Sequence, residues 1–304
     1  MKAAVVGHGS IGARHARILE GVVDEVAVVS SRAVDHPRTF KTVEEMIEGF
    51  GPDYVVVANR TSEHVGAVSR LRSVGFRGRI LVEKPFARSL TEAAEAVDPG
   101  DVRVAYNLRY HPVLKRLREL VGDSEVLLLR IDVGQYLPSW RPGSDYAASY
   151  SASRAGGGGV LRDLSHELDF LMWIFGDWRC LVADGGRVGA LEIETEDYFA
   201  ALLELDSGAR ANLHLNYLDR VPRRTVTVTT SSRTLIADLV AGTLTHGGSV
   251  KSFEVDRDAT YRSQHEDCLL PMPEVACTLQ EALGVLELVD SLERSVLTRG
   301  WIRQ

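Results

Sequence analysis

The glycine pattern near the start of the chain constrains its fold more than any other feature. An apolar run over residues 2–6 leads directly into Gly7-His-Gly9-Ser-Ile-Gly12, and a helical pattern follows. In such a strand-to-helix turn, Gly7 permits the tight turn, Gly9 lets a pyrophosphate approach the backbone, and Gly12 lets the helix pack closely on the strand. The helix N-terminus would face the diphosphate, because its unpaired N–H groups and its dipole favour negative charge. The sequence therefore predicts a dinucleotide site formed by Gly7, Gly9, Ser10, Ile11 and Gly12.

The bulk properties exclude several classes of protein. A chain of 304 residues with 45% hydrophobic and 25% charged residues is typical of a soluble protein of about two domains. A net charge of −7 argues against a nucleic-acid partner. No apolar run approaches about 18 residues and the chain enters a strand at once, so we expect a cytoplasmic protein with no membrane partner. The three cysteines lack the spacing of a metal site or a disulfide framework, and no metal is expected.

Short apolar runs alternate with helical segments over the first hundred residues. This alternation is typical of a parallel sheet that helices cover on both faces. The predicted strands cover residues 3–6, 25–30, 54–58, 79–82 and 102–105, and the predicted helices cover residues 11–19, 43–50, 62–74 and 91–97. We therefore predict an α/β protein whose first domain, residues 1–108, is a dinucleotide-binding Rossmann domain.

The pattern changes in residues 109–304, for which we predict an α/β domain that binds substrate and mediates oligomerisation. Alternating apolar and polar residues predict a large, mostly antiparallel open sheet. Its strands are predicted at residues 125–133, 180–188, 197–206, 209–217, 224–230, 234–239 and 250–255, and its helices at 111–120 and 163–175. An amphipathic helix over residues 279–297 closes the chain and could pack back toward the first domain.

Two candidate motifs follow predicted strands of the first domain. Residues 58–64 come after the third strand, and Glu83-Lys84-Pro85 comes after the fourth. Ligands of open α/β sheets bind outside the carboxyl ends of the strands. Lys84 could stabilise a developing alkoxide or relay a proton there, while a surface lysine fixed by a proline is the alternative. The cofactor residues predicted at this edge, besides the glycine turn, are Ala58, Asn59, Arg60, His64, Glu83 and Lys84.

A third motif lies in the second domain. Gly156–Gly159 precede a predicted helix that would place Asp163 and His166 on one face. A carboxylate beside an imidazole fixes its tautomer and raises its pKa, which suits a general acid or base, although a structural histidine is the alternative. In the long loop before the glycines, Trp140 and Tyr150 could stack on a sugar ring or close over any small hydrophobic ligand.

Taken in order, these motifs resemble the Gfo/Idh/MocA oxidoreductase family, and the resemblance spans nearly the whole chain. It implies an N-terminal Rossmann domain and a C-terminal α/β domain, whose open sheet lines the active site with one face and forms a homo-oligomer interface with the other. It also implies that Lys84 and His166 are catalytic, that Asn107 approaches the nicotinamide, and that Arg109 approaches the substrate.

Two details refine this resemblance. Many family dehydrogenases carry an aspartate four residues before the histidine, whereas this chain has Arg162 there and Asp163 one position later. Asp163 is therefore assigned a supporting role in substrate binding, next to His166. The pattern L-P-x-W-x-P-x-x-x-Y over residues 137–146 is similar to that of oxidoreductases of nonulosonic acid and surface-polysaccharide biosynthesis, which implies a sugar-derived substrate.

The end of the second strand bears on which nicotinamide cofactor is used. NAD-selective Rossmann domains normally place an acidic residue there to bind the ribose 2′-hydroxyl. This chain has Ser30-Ser31-Arg32, whose hydroxyls and guanidinium suit a 2′-phosphate. We therefore predict that NADP(H) is preferred and that NAD(H) is possible.

Three functions are compatible with these motifs. The first is an NAD(P)-dependent dehydrogenase or reductase that acts on the CH–OH group of a sugar or sugar-derived small molecule. The second is a non-catalytic NAD(P)-binding sensor of the same fold, since fold does not determine function. The third is an enzyme that uses NAD only transiently, during glycoside cleavage or epimerisation.

Overall fold

The computed structural model describes residues 1–96, 99–122, 124–140, 143, 145–154 and 156–304. The strands, in chain order, are β1 (Lys2–Val6), β2 (Glu25–Val29), β3 (Thr39–Phe40), β4 (Tyr54–Val57), β5 (Arg79–Val82), β6 (Val102–Val104), β7 (Val126–Gly134), β8 (Trp178–Gly186), β9 (Tyr198–Leu205), β10 (Arg210–Asn216), β11 (Arg223–Thr230), β12 (Thr234–Asp238), β13 (Thr243–His246), β14 (Ser249–Ser252), β15 (Cys277–Thr278) and β16 (Ile302–Arg303). The helices are α1 (Ser10–Leu19), α2 (Val43–Gly49), α3 (His64–Ser73), α4 (Leu90–Ala93), α5 (Pro112–Val121), α6 (Val160–Asp163), α7 (His166–Phe175), α8 (Ala259–Leu269) and α9 (Leu279–Thr298).

The chain packs as two compact units. The first contains Met1–Tyr110 and Asp256–Leu286, and the second contains His111–Val255 and Glu287–Gln304. These units differ from the predicted division into residues 1–108 and 109–304, because residues 256–286 pack with the first unit. Helix α8, which the sequence pattern did not reveal, places Cys268 in the core beneath β1, and β15 extends the first sheet by pairing with β6. The functional division into a cofactor domain and a substrate domain stays a prediction.

The first unit contains a sheet with the strand order β15-β6-β5-β4-β1-β2-β3 in the described residues. All its pairings are parallel except that of β15 with β6. The central strands are buried along almost their whole length, which explains their continuous apolar sequences. Val6 lies opposite both Val29 and Val57, and Val57 lies opposite Val82, so four strands end at the same level. This register brings the turns that follow β1, β2, β4 and β5 to one edge.

The second unit contains a sheet with the strand order β14-β13-β12-β11-β7-β10-β9-β8-β16. Its pairings are antiparallel except for β10 with β7, which confirms the predicted mostly antiparallel sheet. The strand predicted at residues 250–255 is shorter and earlier than expected, and β13 was not predicted. The two strands form a hairpin around Gly247 and Gly248, whose φ angles of 56° and 78° are ones that glycine adopts readily.

The prediction of one continuous helix over residues 163–175 is wrong. Two helices, α6 and α7, are separated at Leu164, whose ψ of 27° departs from the helical value. Asp163 ends α6 and His166 begins α7, so the two residues do not share the face of a continuous helix. Of the helix predicted at residues 91–97, α4 ends at Ala93, and Val97 lies outside the described residues.

Candidate active site

The three glycines of the turn have two different roles: Gly7 and Gly12 are needed for close backbone packing, whereas Gly9 leaves space for a ligand. Gly7 has a φ of 95°, and a Cβ there would lie 2.7 Å from the backbone nitrogen of Asn59. A Cβ on Gly12 would collide with the carbonyl oxygen of Gly7. A Cβ on Gly9, by contrast, would have no neighbour within 4 Å. Gly9 and Ser10 are exposed at the start of α1, whose first turn carries no acidic residue. The turn therefore fits a diphosphate.

The turn after β2 presents the predicted 2′-phosphate residues together with one that the sequence reasoning missed. Ser30 is buried, whereas Ser31 and Arg32 are exposed. The Lys41 ammonium lies 3.5 Å from the carbonyl oxygen of Ser31 and 3.4 Å from that of Arg32. Because Val29 pairs with Phe40, Lys41 follows β3 at the level where Ser30 follows β2. The pairing of β2 with β3 therefore brings a second cation, Lys41, to this turn.

Glu83 and Lys84 follow β5 at the same edge, and both side chains are partly buried. The Glu83 carboxylate lies 2.8 Å from Nε2 of His15, and it also accepts a hydrogen bond of 3.2 Å from the backbone N–H of Lys84. Burial acts to raise the pKa of Glu83, but the His15 hydrogen bond and the positive charge of Lys84 outweigh it, and the pKa lies below its ordinary value. A negative charge therefore stands beside Lys84 at neutral pH.

Several predicted cofactor residues make contacts that support the fold. His64 is 1% exposed, and its ring nitrogens lie 2.9 Å from the carbonyl oxygen of Pro85 and 3.3 Å from that of Asn59. Burial lowers the pKa of His64. His64 therefore braces the turns after β4 and β5. Ala58 is buried and Arg60 is exposed at the β4 turn, where their contact with a cofactor stays a prediction.

The two predicted site residues that follow β6 are also buried. The Asn107 amide donates to the hydroxyl of Thr260 on α8 at 2.8 Å. Arg109 forms an ion pair of 2.9 Å with Glu281 at the start of α9. Both contacts anchor residues 256–286 within the first unit. The contacts of Asn107 with nicotinamide and of Arg109 with substrate stay predictions.

In the second unit, the structure places Asp163 against a residue that the sequence reasoning missed. The Asp163 carboxylate accepts a hydrogen bond of 2.7 Å from the hydroxyl of Tyr217, which follows β10. Burial, followed by the charge of Asp163, raises the pKa of Tyr217 well above its ordinary value, so Tyr217 keeps the proton that it donates. The Tyr217 ring packs edge to face with Trp140, with ring centroids 5.3 Å apart. His166 is partly buried at the first position of α7.

Trp140 and Tyr150, the predicted stacking residues, line one small pocket of the second unit. Its other lining residues are Leu137, Pro138, Tyr146, Ser149 and Ser151. Tyr150 is 46% exposed, whereas the Trp140 indole N–H donates to the carbonyl oxygen of Gln135 at 3.2 Å and fixes the ring. Residues 141, 142 and 144 of the motif at 137–146 lie outside the described residues.

Arg162, which stands at the position where many relatives of the resembled family carry an aspartate, has a partner in the closing helix. Two guanidinium nitrogens of Arg162 lie 3.0 and 2.8 Å from the two carboxylate oxygens of Glu293. Such a two-point pair is directional as well as strong. The substitution therefore serves to anchor the second half of α9 within the second unit.

Over the described ranges, no group of three or more His, Cys, Asp or Glu side chains could hold a metal ion. Within the same ranges, none of the helices combines the length and apolar character needed to cross a bilayer. Cys268 and Cys277 are buried thiols, and Cys180 is partly exposed.

A parallel Rossmann sheet with a glycine turn open to a diphosphate defines a dinucleotide-binding protein. Residues 1–99 match the family described as "Oxidoreductase family, NAD-binding Rossmann fold", and residues 116–236 match the "GFO/IDH/MocA C-terminal domain". The chain therefore belongs to the Gfo/Idh/MocA oxidoreductase family, which confirms the predicted family and fold class.

Known proteins similar to this chain support that assignment. The rhizopine catabolism protein MocA of Rhizobium meliloti is 31% identical over 190 residues, which are 57% of this chain and 56% of MocA. The matches span about a third to just over half of the length of the curated relatives. GenD2 from gentamicin A biosynthesis, solved with NAD, is 23% identical with a TM-score of 0.81, and covers 100% of this chain and 96% of its own. Levoglucosan dehydrogenase, solved with NADH and L-sorbose, is 14% identical with a TM-score of 0.85. That match covers 100% of this chain and 98% of the levoglucosan dehydrogenase chain. At these identities the two structures show the shared fold alone.

Proposed function

We propose that this protein is an NAD(P)-dependent dehydrogenase or reductase that acts on a CH–OH group of a sugar or sugar-derived substrate. The observation that carries the proposal is the common edge of the first sheet. The glycine turn, the Ser30–Arg32 turn and Glu83-Lys84-Pro85 follow parallel strands that end at one level, so a dinucleotide held there would have Lys84 beside it.

The chain's own residues would supply binding, charge and proton transfer. The α1 N-terminus holds the diphosphate, and Lys84 stabilises negative charge on the substrate oxygen. His166 accepts the hydroxyl proton when the alcohol is oxidised to the carbonyl, and returns it in the reverse reaction. When bound, the nicotinamide supplies the hydride chemistry, so that the alcohol loses one hydride and one proton.

A sugar as substrate is supported by the aromatic pocket and by the similar proteins. Trp140 is fixed by two contacts, whereas Tyr150 is exposed, which gives the pocket one rigid and one accessible aromatic face. Levoglucosan dehydrogenase was solved with a sugar, L-sorbose, and GenD2 belongs to the biosynthesis of gentamicin A. A nonulosonic acid or surface-polysaccharide pathway is one context in which a sugar-derived substrate would arise.

A preference for NADP(H) is supported by the charge at the turn after β2. Arg32 and Lys41 place two cations there, and residues 30–32 contain no carboxylate to bind a ribose 2′-hydroxyl. A 2′-phosphate would gain a charge-assisted hydrogen bond from Arg32. NAD(H) stays possible, because the diphosphate site is the same for both cofactors.

The proposal is tested with Lys84→Ala, assayed with NADPH and a panel of sugars and nucleotide sugars. We expect turnover to fall by roughly two to four powers of ten while cofactor affinity stays nearly unchanged, as for the loss of a positioned charge or acid. Lys115→Ala, at an exposed lysine of α5, is the matched control and should retain full activity. Full activity of Lys84→Ala would refute the catalytic assignment. Tight dinucleotide binding without turnover of any substrate would favour a sensor.

A homo-oligomer through the second sheet is also proposed. Its exposed face carries Leu128, Leu202 and Ile236, which are 43–54% exposed. Each of the three has at least one buried neighbour along its strand. Burial of such apolar side chains is favourable for association. Sedimentation of Leu202→Asp should show a smaller species than Leu297→Asp, since Leu297 is exposed on α9. Equal sedimentation of both variants and the parent would refute this interface, and a cytoplasmic location stays a separate prediction.

A further inference from the structure

A buried chain of hydrogen bonds runs from Glu83 into the core of the first unit. The Glu83 carboxylate lies 2.8 Å from Nε2 of His15. Nδ1 of His15 lies 2.9 Å from Nε2 of His265 on α8, and Nδ1 of His265 lies 3.1 Å from the hydroxyl of Tyr54 on β4. Both histidines are fully buried, and Tyr54 is 2% exposed. Four side chains from four segments of the chain therefore form one continuous polar connection.

One arrangement of donors and acceptors satisfies every atom of this hydrogen-bond chain and ends on the Glu83 carboxylate. In this arrangement the Tyr54 hydroxyl donates to Nδ1 of His265, so that His265 carries its single proton on Nε2 and donates it to Nδ1 of His15. His15 then carries its proton on Nε2 and donates it to the Glu83 carboxylate. Every atom in the chain is satisfied with one proton on each ring and an ionised carboxylate. Burial lowers the pKa of His265 well below its ordinary value, which keeps that ring neutral.

Other titratable groups act on Glu83 from the elements around it. They are Lys84 in the same turn, His64 on α3 and Tyr261 on α8. Burial holds the pKa of His64 below and that of Tyr261 above its ordinary range, so neither is charged at neutral pH. Lys84, in the same turn, supplies a positive charge beside Glu83.

We propose that Tyr54, His265 and His15 are positioning residues that hold the Glu83 carboxylate fixed and ionised beside Lys84. A row of aligned donors that ends on a carboxylate strengthens each bond through its neighbours and stabilises the negative charge. The carboxylate in turn accepts the backbone N–H of Lys84 and keeps that residue at the carboxyl end of β5. This inference rests on the proposed catalytic role of Lys84, but the chain itself can be tested without any reaction.

The first experiment measures the histidine tautomers by ¹⁵N NMR of the unliganded protein between pH 6 and 8. We expect His265 to be protonated on Nε2 alone across this range. Assignment uses His15→Gln and His265→Gln, each of which removes one set of signals. A His265 ring protonated on Nδ1, or on both nitrogens, would overturn the proposal, whatever the protein catalyses.

The second experiment compares Tyr54→Phe with Tyr110→Phe. Tyr110 is a matched control, because its buried hydroxyl donates to Asp267 on the same helix α8 at 2.6 Å. Loss of the Tyr54 hydroxyl should reduce kcat about 5- to 10-fold, the scale of one hydrogen bond, and leave the NADPH Kd within about twofold. The acid limb of the kcat–pH profile should move to higher pH, because a carboxylate with weaker donors is protonated more readily.

The outcomes of these experiments separate this inference from the proposed function. Tyr110→Phe should lower the Tm and leave the pH profile unchanged. If the pH profile of Tyr54→Phe coincides with that of the parent protein, or changes only as that of Tyr110→Phe does, the hydrogen-bond chain from Tyr54 to Glu83 is merely structural. Activity of Lys84→Ala would instead refute the role of the lysine, and the NMR result would still decide whether the chain has the proposed direction.

Discussion

The two units of this protein assemble their polar residues in different ways. In the first unit, the candidate cofactor residues directly follow parallel strands, and the register of β1, β2, β4 and β5 brings their turns together. In the second unit, the candidate site residue Asp163 and its neighbour Arg162 are held by partners distant in the sequence, namely Tyr217 and Glu293. Where parallel strands end at one level, a sequence motif is enough to place a residue at the candidate site. In the second unit, the position of a residue can be inferred only when its partner in the tertiary structure is known.

The largest expected effect concerns the second unit. His166→Asn should lower turnover by roughly two to four powers of ten and remove one limb of the pH–rate profile, because asparagine cannot exchange a proton. The measurement is kcat over a range of pH with NADPH at saturation. His246→Asn, on β13 of the same unit, is the control and should leave both limbs in place. If His166→Asn keeps both limbs, the proton is handled elsewhere and the second unit loses its catalytic residue.

The next effect tests the first unit. Gly9→Val should weaken dinucleotide binding by at least about 100-fold, because a branched side chain would occupy the position of the pyrophosphate. Since a Cβ at Gly9 meets no protein atom within 4 Å, the variant should fold normally. Gly66→Val provides the control, as its Cβ would also lie in open space, but on α3. Fluorescence titration with NADPH measures the Kd, and an unchanged value for Gly9→Val would contradict the site.

A smaller effect sharpens the choice of cofactor. Arg32→Ala should raise the Kd of NADPH about tenfold and leave that of NADH nearly unchanged, because a charge-assisted hydrogen bond to the 2′-phosphate is lost. Lys41→Ala should have the same sign and a smaller size, since its ammonium already lies near two carbonyl oxygens. Titration of both cofactors decides the question. NADH that binds the parent protein as tightly as NADPH would show that the predicted preference was wrong.

The smallest effect is on stability and tests the long-range pairing of the second unit. Tyr217→Phe should lower the free energy of unfolding by about 1–3 kcal/mol, because the buried Asp163 carboxylate loses a donor. Tyr198→Phe, on the exposed face of the same sheet, should change it much less. Urea denaturation followed by circular dichroism gives both values. Equal stability of Tyr217→Phe and the parent would mean that this pairing does not hold Asp163.

Much of the first unit was predictable because its signals are local. A strand, three glycines and a helix occupy adjacent residues, and the backbone freedom needed at Gly7 is a property of the residue type itself. The same holds for the alternation that predicted the second sheet, in which side chains point to opposite faces in turn. The role of residues 256–286 was not predictable, since α8 has a weak amphipathic pattern and owes its place to Asn107, Arg14 and the core beneath β1.

The sequence by itself therefore determined the family, the fold class, the glycine turn and the positions of Lys84 and His166 in the chain. Only the tertiary structure decided that Asp163 and His166 lie on separate helices, that Tyr217 holds Asp163, and that Lys41 stands beside Arg32. It also brought Tyr54, His265, His15 and Glu83 together into one hydrogen-bond chain. The physical reason is that hydrogen bonds and ion pairs between distant segments depend on which of those segments become neighbours in space, and a local pattern of residues describes only its own segment.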